Sequence, residues 1–245
     1  VIIPTHNRAH TLQRALDSVI SQHHQPHEII IIDDGSTDET QTLIKEKYPT
    51  AHYIKQNNRG VSHARNQGIR AASSEWIALL DSDDQWHPHK LERQIQALNT
   101  QPQYKLCHTN ETWFRHGKFV NPMKKHKKHG GWVYTHCLPL CCISPSSVLI
   151  HRSLFDTVGV FDENLPACED YDLWLRICAI QPVLYLDEPL TIKYGGHADQ
   201  LSKKYWGMDR FRLQALVNII KSNTLNNDQY NATIEMIKHK AKILK

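Results

Sequence analysis

Four consecutive isoleucines, Ile29-Ile30-Ile31-Ile32, run directly into Asp33-Asp34-Gly35-Ser36. A β-branched run without polar alternation does not suit a sheet with one wet face. It reads as a strand buried on both faces, of the kind that parallel sheets hide beneath helices. Such a strand needs helical cover, and the flanking sequence supplies it: Leu12, Ala15, Leu16, Val19 and Ile20 recur at helical spacing. Val1-Ile2-Ile3 predicts a strand that Pro4 ends. A helix is expected to begin near Asp38, capped by Ser36 or Thr37. Residues 51–54 predict a third strand, Val61 to Ala72 a helix and Trp76 to Leu80 a fourth strand. Pro88 then opens a helix through Leu91, Ile95 and Leu98. The alternation predicts an open α/β sheet, whose ligands bind beyond the carboxyl ends of its strands.

After about residue 100 the rhythm changes. Strand-like segments near 104–116 and 146–151 flank a basic loop, Lys124 to Gly131. A helix is expected near Asp170, a strand at Val183–Leu186, and helices at 205–222 and 228–244. The longest apolar run, Trp76 to Leu80, is far short of the roughly 18–20 residues that cross a bilayer. Charge is 29 Lys+Arg against 25 Asp+Glu, a net +4 that is too weak to imply nucleic acid. Six cysteines without a C-x-x-C pair read as reduced, mostly buried thiols, which favours the cytoplasm. The sequence opens at Val1 inside a strand-like run, so its natural N-terminus is expected upstream and a targeting segment stays open.

Three polar clusters carry chemistry. Asp81, Ser82, Asp83 and Asp84 put three carboxylates at one strand end. Two unit charges about 4 Å apart repel by about 4 kcal/mol at an effective dielectric near 20, which a divalent cation would relieve. A solvated turn is the alternative, and the position after a buried strand favours the metal. Asp33-Asp34-Gly35-Ser36 can accept from a base or ribose hydroxyl, or simply cap a helix. Asn57-Asn58-Arg59-Gly60 with Ala64-Arg65-Asn66 offers cations and amides suited to a phosphate-bearing ligand, or ordinary helix polarity.

Together these blocks carry a resemblance. Val1-Ile2-Ile3-Pro4-Thr5-His6-Asn7-Arg8, Asp33 to Asp38, Asn58-Arg59-Gly60 with Ala64 to Gly68, Asp81-Ser82-Asp83-Asp84, and Cys168-Glu169-Asp170-Tyr171-Asp172 resemble glycosyltransferase family 2 in order and spacing. The resemblance covers roughly residues 1–200 and implies a GT-A fold, a Rossmann-like nucleotide-binding sheet fused to an acceptor-binding half. Residues 1–100 would form the nucleotide-sugar half, 101–200 the acceptor half and 201–245 a helical C-terminal extension. The implied enzyme inverts the sugar it transfers and uses Mg²⁺ or Mn²⁺. By position, Asp34 would contact the base, most often uracil, with Pro4, Thr5 and Asn7 lining that pocket. Asp81, with Ser82 beside it, would face the ribose or sugar, and Asp83 would hold the metal. Arg65 and Asn66 would help hold the donor, and Asp170 would be the general base. His197 resembles a late histidine that completes the metal or diphosphate site in some members; a lone surface histidine is the alternative.

His6 stands where many relatives carry Tyr or Phe, which puts the stacking on the base in doubt. The acceptor would be a glycan or lipid-linked hydroxyl, with cell-surface glycan synthesis as the expected setting. The basic loop at 124–129 could touch a phosphorylated acceptor or an anionic membrane surface, or be a solvated loop. The last helix, with Lys238, Lys240, Lys242 and Lys245 beside Ile234, Ile237 and Ile243, would either lie on a membrane or pack on the domain. Cys141-Cys142 reads as core. Two other classes compete: a sugar-nucleotide-binding module without turnover, which the intact Glu169-Asp170 argues against, and a nucleotidyltransferase, which would begin with a Gly-rich basic loop that Pro4-Thr5-His6-Asn7 is not. No G-x-G-x-x-G follows Ile3, which disfavours a dinucleotide dehydrogenase.

Overall fold

A computed structural model describes residues 1–121, 123–196 and 205–244. The isoleucine run forms β2 (Ile30–Asp33), between β1 (Ile2–Thr5) and β3 (His52–Lys55) in a parallel three-stranded sheet. Ile30 and Ile32 join one apolar cluster and Ile31 the other, so both faces of the strand are buried. Each such side chain contributes about 1.5–3 kcal/mol by leaving water. Helices α1 (Ala9–Ile20) and α2 (Thr40–Lys47) cover one face and α3 (Val61–Ala71) the other. Gly68 lets α3 rest directly on β1, because a Cβ there would collide with the Ile2 side chain.

Two local expectations are corrected. Pro4 lies inside β1 rather than ending it. The Val1 and Thr5 carbonyls accept from Ile30 N in β2 and Asp34 N just beyond it, whereas the Ile2 carbonyl accepts from Leu80 N, so the alternation turns Pro4's missing N–H away from β2. The helix expected near Asp38 starts at Thr40, and Asp38 rather than Ser36 or Thr37 receives the Thr40 amide, at 3.1 Å.

The second sheet runs β4-β8-β6-β9-β5, with β7 added on β6. These strands are β4 (Trp76–Ala78), β5 (Gln85–Trp86), β6 (Leu106–Arg115), β7 (Lys118–Val120), β8 (Val148–His151) and β9 (Leu184–Gly195). A parallel bridge from Ile2 to Leu79 joins the two sheets, so β4 carries its acidic end beside β1. β9 is far longer than the Val183–Leu186 strand expected. Asp187-Glu188-Pro189 breaks the apolar pattern, and the ladder absorbs it as register shifts at Asn110.

Helices α4 (Lys90–Thr100), α5 (Tyr134–Cys137), α6 (Ser153–Val158) and α7 (Glu169–Ile180) complete the body. The tail forms α8 (Asp209–Lys221) and α9 (Asn227–Ile243). α9 opens with a capping box between Asn226 and Gln229, worth about 1 kcal/mol. Lys240 points inward, donating to Asp209 at 2.8 Å and to the Pro139 carbonyl at 2.9 Å, so this helix packs on the domain along that face. Lys128 is likewise not a solvated loop residue: it is buried against Glu111 at 3.3 Å. Among the described residues no helix is long and apolar enough to cross a membrane.

Candidate functional site

A cleft of about 750 Å³ opens where β1, β2 and β4 end and faces the start of α7. On the wall built by β1 and β2 Asp34 is buried. One carboxylate oxygen accepts from Gln56 Nε2 at 2.7 Å and Arg59 N at 2.8 Å, and the other from Gly60 N at 2.8 Å. Asp34 therefore pins the 57–60 loop and keeps roughly one of its four acceptor sites for a ligand. Gly35 makes that approach possible: its φ is +82°, and an added Cβ would stand 2.9 Å from Asn58 N. Pro4 and Thr5 line the cleft, and Thr5 Oγ1 is buried without a hydrogen-bond partner among the described residues. A buried hydroxyl in that state is available to an incoming ligand.

Asn7 does not line the cleft. Its left-handed backbone (φ 52°) turns the side chain to accept from Thr37 N at 2.8 Å, so it ties β1 to the loop before α2. Asn66 is also turned away. It is buried, donates to the Phe161 carbonyl at 2.9 Å and accepts from Phe161 N at 3.0 Å, fixing the segment that leads to α7. His6 does line the cleft, with its Nδ1 3.2 Å from Asn58 Nδ2.

The acidic strand end is split by its surroundings. Asp84 is buried, accepting from Ser146 Oγ at 2.6 Å and lying 3.5 Å from Lys193 Nζ. Burial, reinforced by Asp83 and Asp81, outweighs Lys193 and pushes the Asp84 carboxyl up to about 7. Asp81 goes the other way: burial works against its charge, but Arg65, Lys193 and Arg8 prevail and hold it below the usual carboxylate range. Asp83 accepts from Arg8 at 2.8 Å, while Arg14 donates to its carbonyl at 2.6 Å. Burial disfavours the Lys193 ammonium, yet Asp84, Glu111, Asp81 and Asp83 outweigh it and keep it protonated.

These residues fit a hard divalent cation in one particular way. Asp81 Oδ2 receives no hydrogen bond from any described residue, and the Asp81 and Asp83 side chains are 25% and 20% exposed. Among the described residues, Asp81, Asp83 and Asp84 do not bring three ligand oxygens together within 4.8 Å. One or two carboxylates with substrate phosphates and water is how Mg²⁺ is commonly held, so the protein need not supply a full cage.

The opposite wall is the first turn of α7. Cys168 takes a left-handed backbone (φ 63°) just before Glu169-Asp170, a strained setting of the kind functional loops carry. Three acids follow, each with a different partner. Glu169 is buried on Arg65 at 2.6 Å, and Asp172 on Arg176 at 2.8 Å. Asp170 faces the cleft with no cation in ion-pair range among the described residues; it accepts from Tyr171 N at 2.7 Å and Cys141 Sγ at 3.3 Å. Burial and Asp170 push the Glu169 carboxyl up, against Arg65. Arg65 also binds Asp81 at 2.7 Å, so one buried guanidinium ties the two walls together.

The cleft thus gathers Pro4, Thr5, Asp34, Arg65, Asp81, Ser82, Asp83 and Asp170 from the sequence-derived set, and leaves out Asn7 and Asn66. His197 lies outside the described residues. Arg8, Lys193, Met208 and the α8 residue Arg212 also line it without having been singled out; Cys141, read as core, packs against the apolar core but lines the cleft as well. Arg8 had a signal in its place directly after Asn7; Lys193 had none, sitting in an ordinary strand.

The glycosyl transferase family 2 model matches residues 1–158. An uncharacterized glycosyltransferase of Rickettsia felis is 32% identical over 218 residues, covering 83% of this chain and 35% of that protein. The chain spans 30% to 64% of the length of its Rickettsia relatives. The Escherichia coli enzyme WfgD, a UDP-Glc:alpha-D-GlcNAc-diphosphoundecaprenol beta-1,3-glucosyltransferase, is 32% identical over 189 residues, 72% of this chain and 68% of its own length. Among solved structures, Staphylococcus aureus TarS (residues 1–349, with UDP-GlcNAc) aligns with a TM-score of 0.77 at 18% identity, over 96% of this chain and 70% of that one. The mannosyltransferase PcManGT of Pyrobaculum calidifontis, with GDP-Man and Mn²⁺, aligns at 0.67 and 16%, over 98% and 72%. The fold is the GT-A fold, with helices appended at the C-terminus.

Proposed function

Since this chain belongs to glycosyl transferase family 2, we propose that its cleft transfers a sugar, with inversion, from a nucleoside-diphosphate sugar to an acceptor hydroxyl. The observation that carries this reading is the pairing of walls: Asp81 and Asp83 on one side, and on the other Asp170, the acid of its turn without an ion pair among the described residues. Inversion needs an acceptor oxygen to attack the anomeric carbon from the face opposite the leaving diphosphate. In this reading Asp170 takes the acceptor's proton as the new bond forms, which typically contributes about 10²–10⁴-fold.

Asp83 and Asp81 would hold Mg²⁺ or Mn²⁺, which supplies Lewis-acid charge to the leaving diphosphate. Lys193 and Arg8 add fixed positive charge at the same wall. Asp34 and Thr5 would receive the base and ribose. UDP is the proposed nucleotide and a lipid-linked glycan hydroxyl the proposed acceptor, supported by WfgD's named reaction and by TarS crystallised with UDP-GlcNAc. Cell-surface glycan synthesis in the cytoplasm, with the lipid acceptor drawing the cleft to the membrane face, is consistent with six free thiols. The domain plan proposed is a donor half in residues 1–100, an acceptor half in 101–200 and a helical extension in 201–245.

Asp83→Ala is expected to weaken Mn²⁺-dependent UDP binding by at least about 10–100-fold in a calorimetric titration. EDTA should have the same effect on the wild type. Unchanged affinity in the variant with Mn²⁺ present would remove Asp83 from the metal site.

A further inference from the structure

We infer that His23, His89 and Glu92 form a separate metal site, outside the cleft, that takes a zinc-class divalent cation. Each offers one ligand atom, and the three atoms lie within 4.8 Å of one another. Bonds of about 2.0–2.1 Å in a tetrahedral site put ligand atoms about 3.4 Å apart, so closing on an ion needs side-chain shifts of only ~1 Å. Two imidazoles and a carboxylate are a donor set zinc uses when its fourth position is left to water. Nitrogen ligands also separate this site chemically from the carboxylates Asp81 and Asp83 of the cleft, because imidazole suits zinc whereas carboxylate and phosphate suit magnesium and manganese.

The backbone that carries the ligands is already locked. His89 and Glu92 stand one turn apart at the start of α4, with Nδ1 and Oε2 2.9 Å from each other. His23 comes from the turn after α1, and its amide donates to the Pro88 carbonyl at 2.9 Å. Gln22, 2% exposed, reinforces the junction: its Nε2 donates to the His87 carbonyl at 2.8 Å and its Oε1 accepts from Leu91 N at 3.0 Å. The His23 ring sits edge-on to His89 with centroids 4.0 Å apart, and His87 stacks with His89 at 5.6 Å. The His89 and Glu92 side chains are 41% and 35% exposed, so an ion can reach them from solvent. Nothing in the proposed transfer reaction uses these three residues. An ion bound there would clamp α1, which carries Arg14, to the segment that follows Asp84.

The test is a titration of the tag-free, EDTA-stripped full chain with Zn²⁺ alone, read by calorimetry and by the melting temperature. The wild type should bind one equivalent at this site and melt higher with Zn²⁺. His23→Ala and His89→Ala should each weaken that binding at least about tenfold and abolish the rise, while Asp83→Ala keeps both. If His89→Ala melts low without metal, Glu92→Gln removes a ligand charge at a half-exposed position and reports in the same way. Equal Zn²⁺ affinity in the wild type and these ligand variants would overturn the site, as would loss of the event in Asp83→Ala alone.

Discussion

Asp170→Asn will lower the turnover number of sugar transfer by about 10²–10⁴-fold and leave nucleotide binding intact. The substitution keeps the side chain's size and its acceptance of the Tyr171 amide, so the first turn of α7 is retained. What it removes is the carboxylate that can take a proton. Glu169 cannot substitute, because Arg65 Nη1 already occupies it at 2.6 Å in a buried setting. Asp172 is equally committed to Arg176. A loss confined to turnover, with UDP affinity unchanged by calorimetry, is therefore the signature expected of the base. Wild-type turnover in Asp170→Asn would move that role to another group.

The largest structural effect is expected at Arg65. Arg65→Met keeps length and apolar volume but leaves Glu169 and Asp81 facing each other's walls without their shared cation. Stripping one partner from a buried ion pair costs about 3–5 kcal/mol. Asp81 is a quarter exposed, which favours the lower part of that range. For a chain of this size each kcal/mol is worth about 2–4 °C, so the melting temperature should fall by about 6–20 °C at neutral pH.

The pH dependence has a definite sign. Asp81 is held below its usual value largely through Arg65, so its stabilisation is present at neutral pH and is lost as pH falls through its folded-state value. Glu169 is raised by burial, and removing Arg65 raises it further, so its penalty exists above its folded-state value and disappears as it protonates. Both effects make the deficit of Arg65→Met shrink on acidification. A deficit that stays constant from neutral pH into the carboxylate range would mean that packing, not charge, is what Arg65 provides. Arg65→Lys should recover only part of the loss, since one ammonium cannot reproduce the fork that serves both acids.

What could be read from the sequence was what is local. The isoleucine run dictates a doubly buried strand whatever its neighbours are, and Asp81 to Asp84 and Glu169-Asp170 announce themselves by adjacency. Asn7 and Asn66 sit inside informative motifs, yet their side chains serve Thr37 and Phe161, partners that no local spacing reveals. Lys128 reads as part of a solvated loop because lysine normally is, and the helix of Lys240 reads equally as membrane-bound or packed on the domain; each lysine is buried because a distant acid, Glu111 or Asp209, pairs with it. Lys193 entered the cleft the same way, delivered by a strand whose length Pro189 concealed. The three acids after β4 look equivalent in sequence; burial raises both Asp84, pushed up to about 7, and Asp81, and it is the paired Arg65 guanidinium that brings Asp81 down.

The central claim is that the acidic wall holds a nucleoside diphosphate through a divalent cation. A thermal-shift titration of the wild type with UDP, GDP, CDP and TDP, each with Mn²⁺ and with EDTA, tests it most directly. A ligand at about 100 times its dissociation constant stabilises by about 2.7 kcal/mol, which for this chain is a rise of about 5–10 °C. The account predicts that rise with UDP and Mn²⁺, and its disappearance in EDTA. No rise with any of the four nucleotides, or a rise that EDTA leaves unchanged, would contradict it.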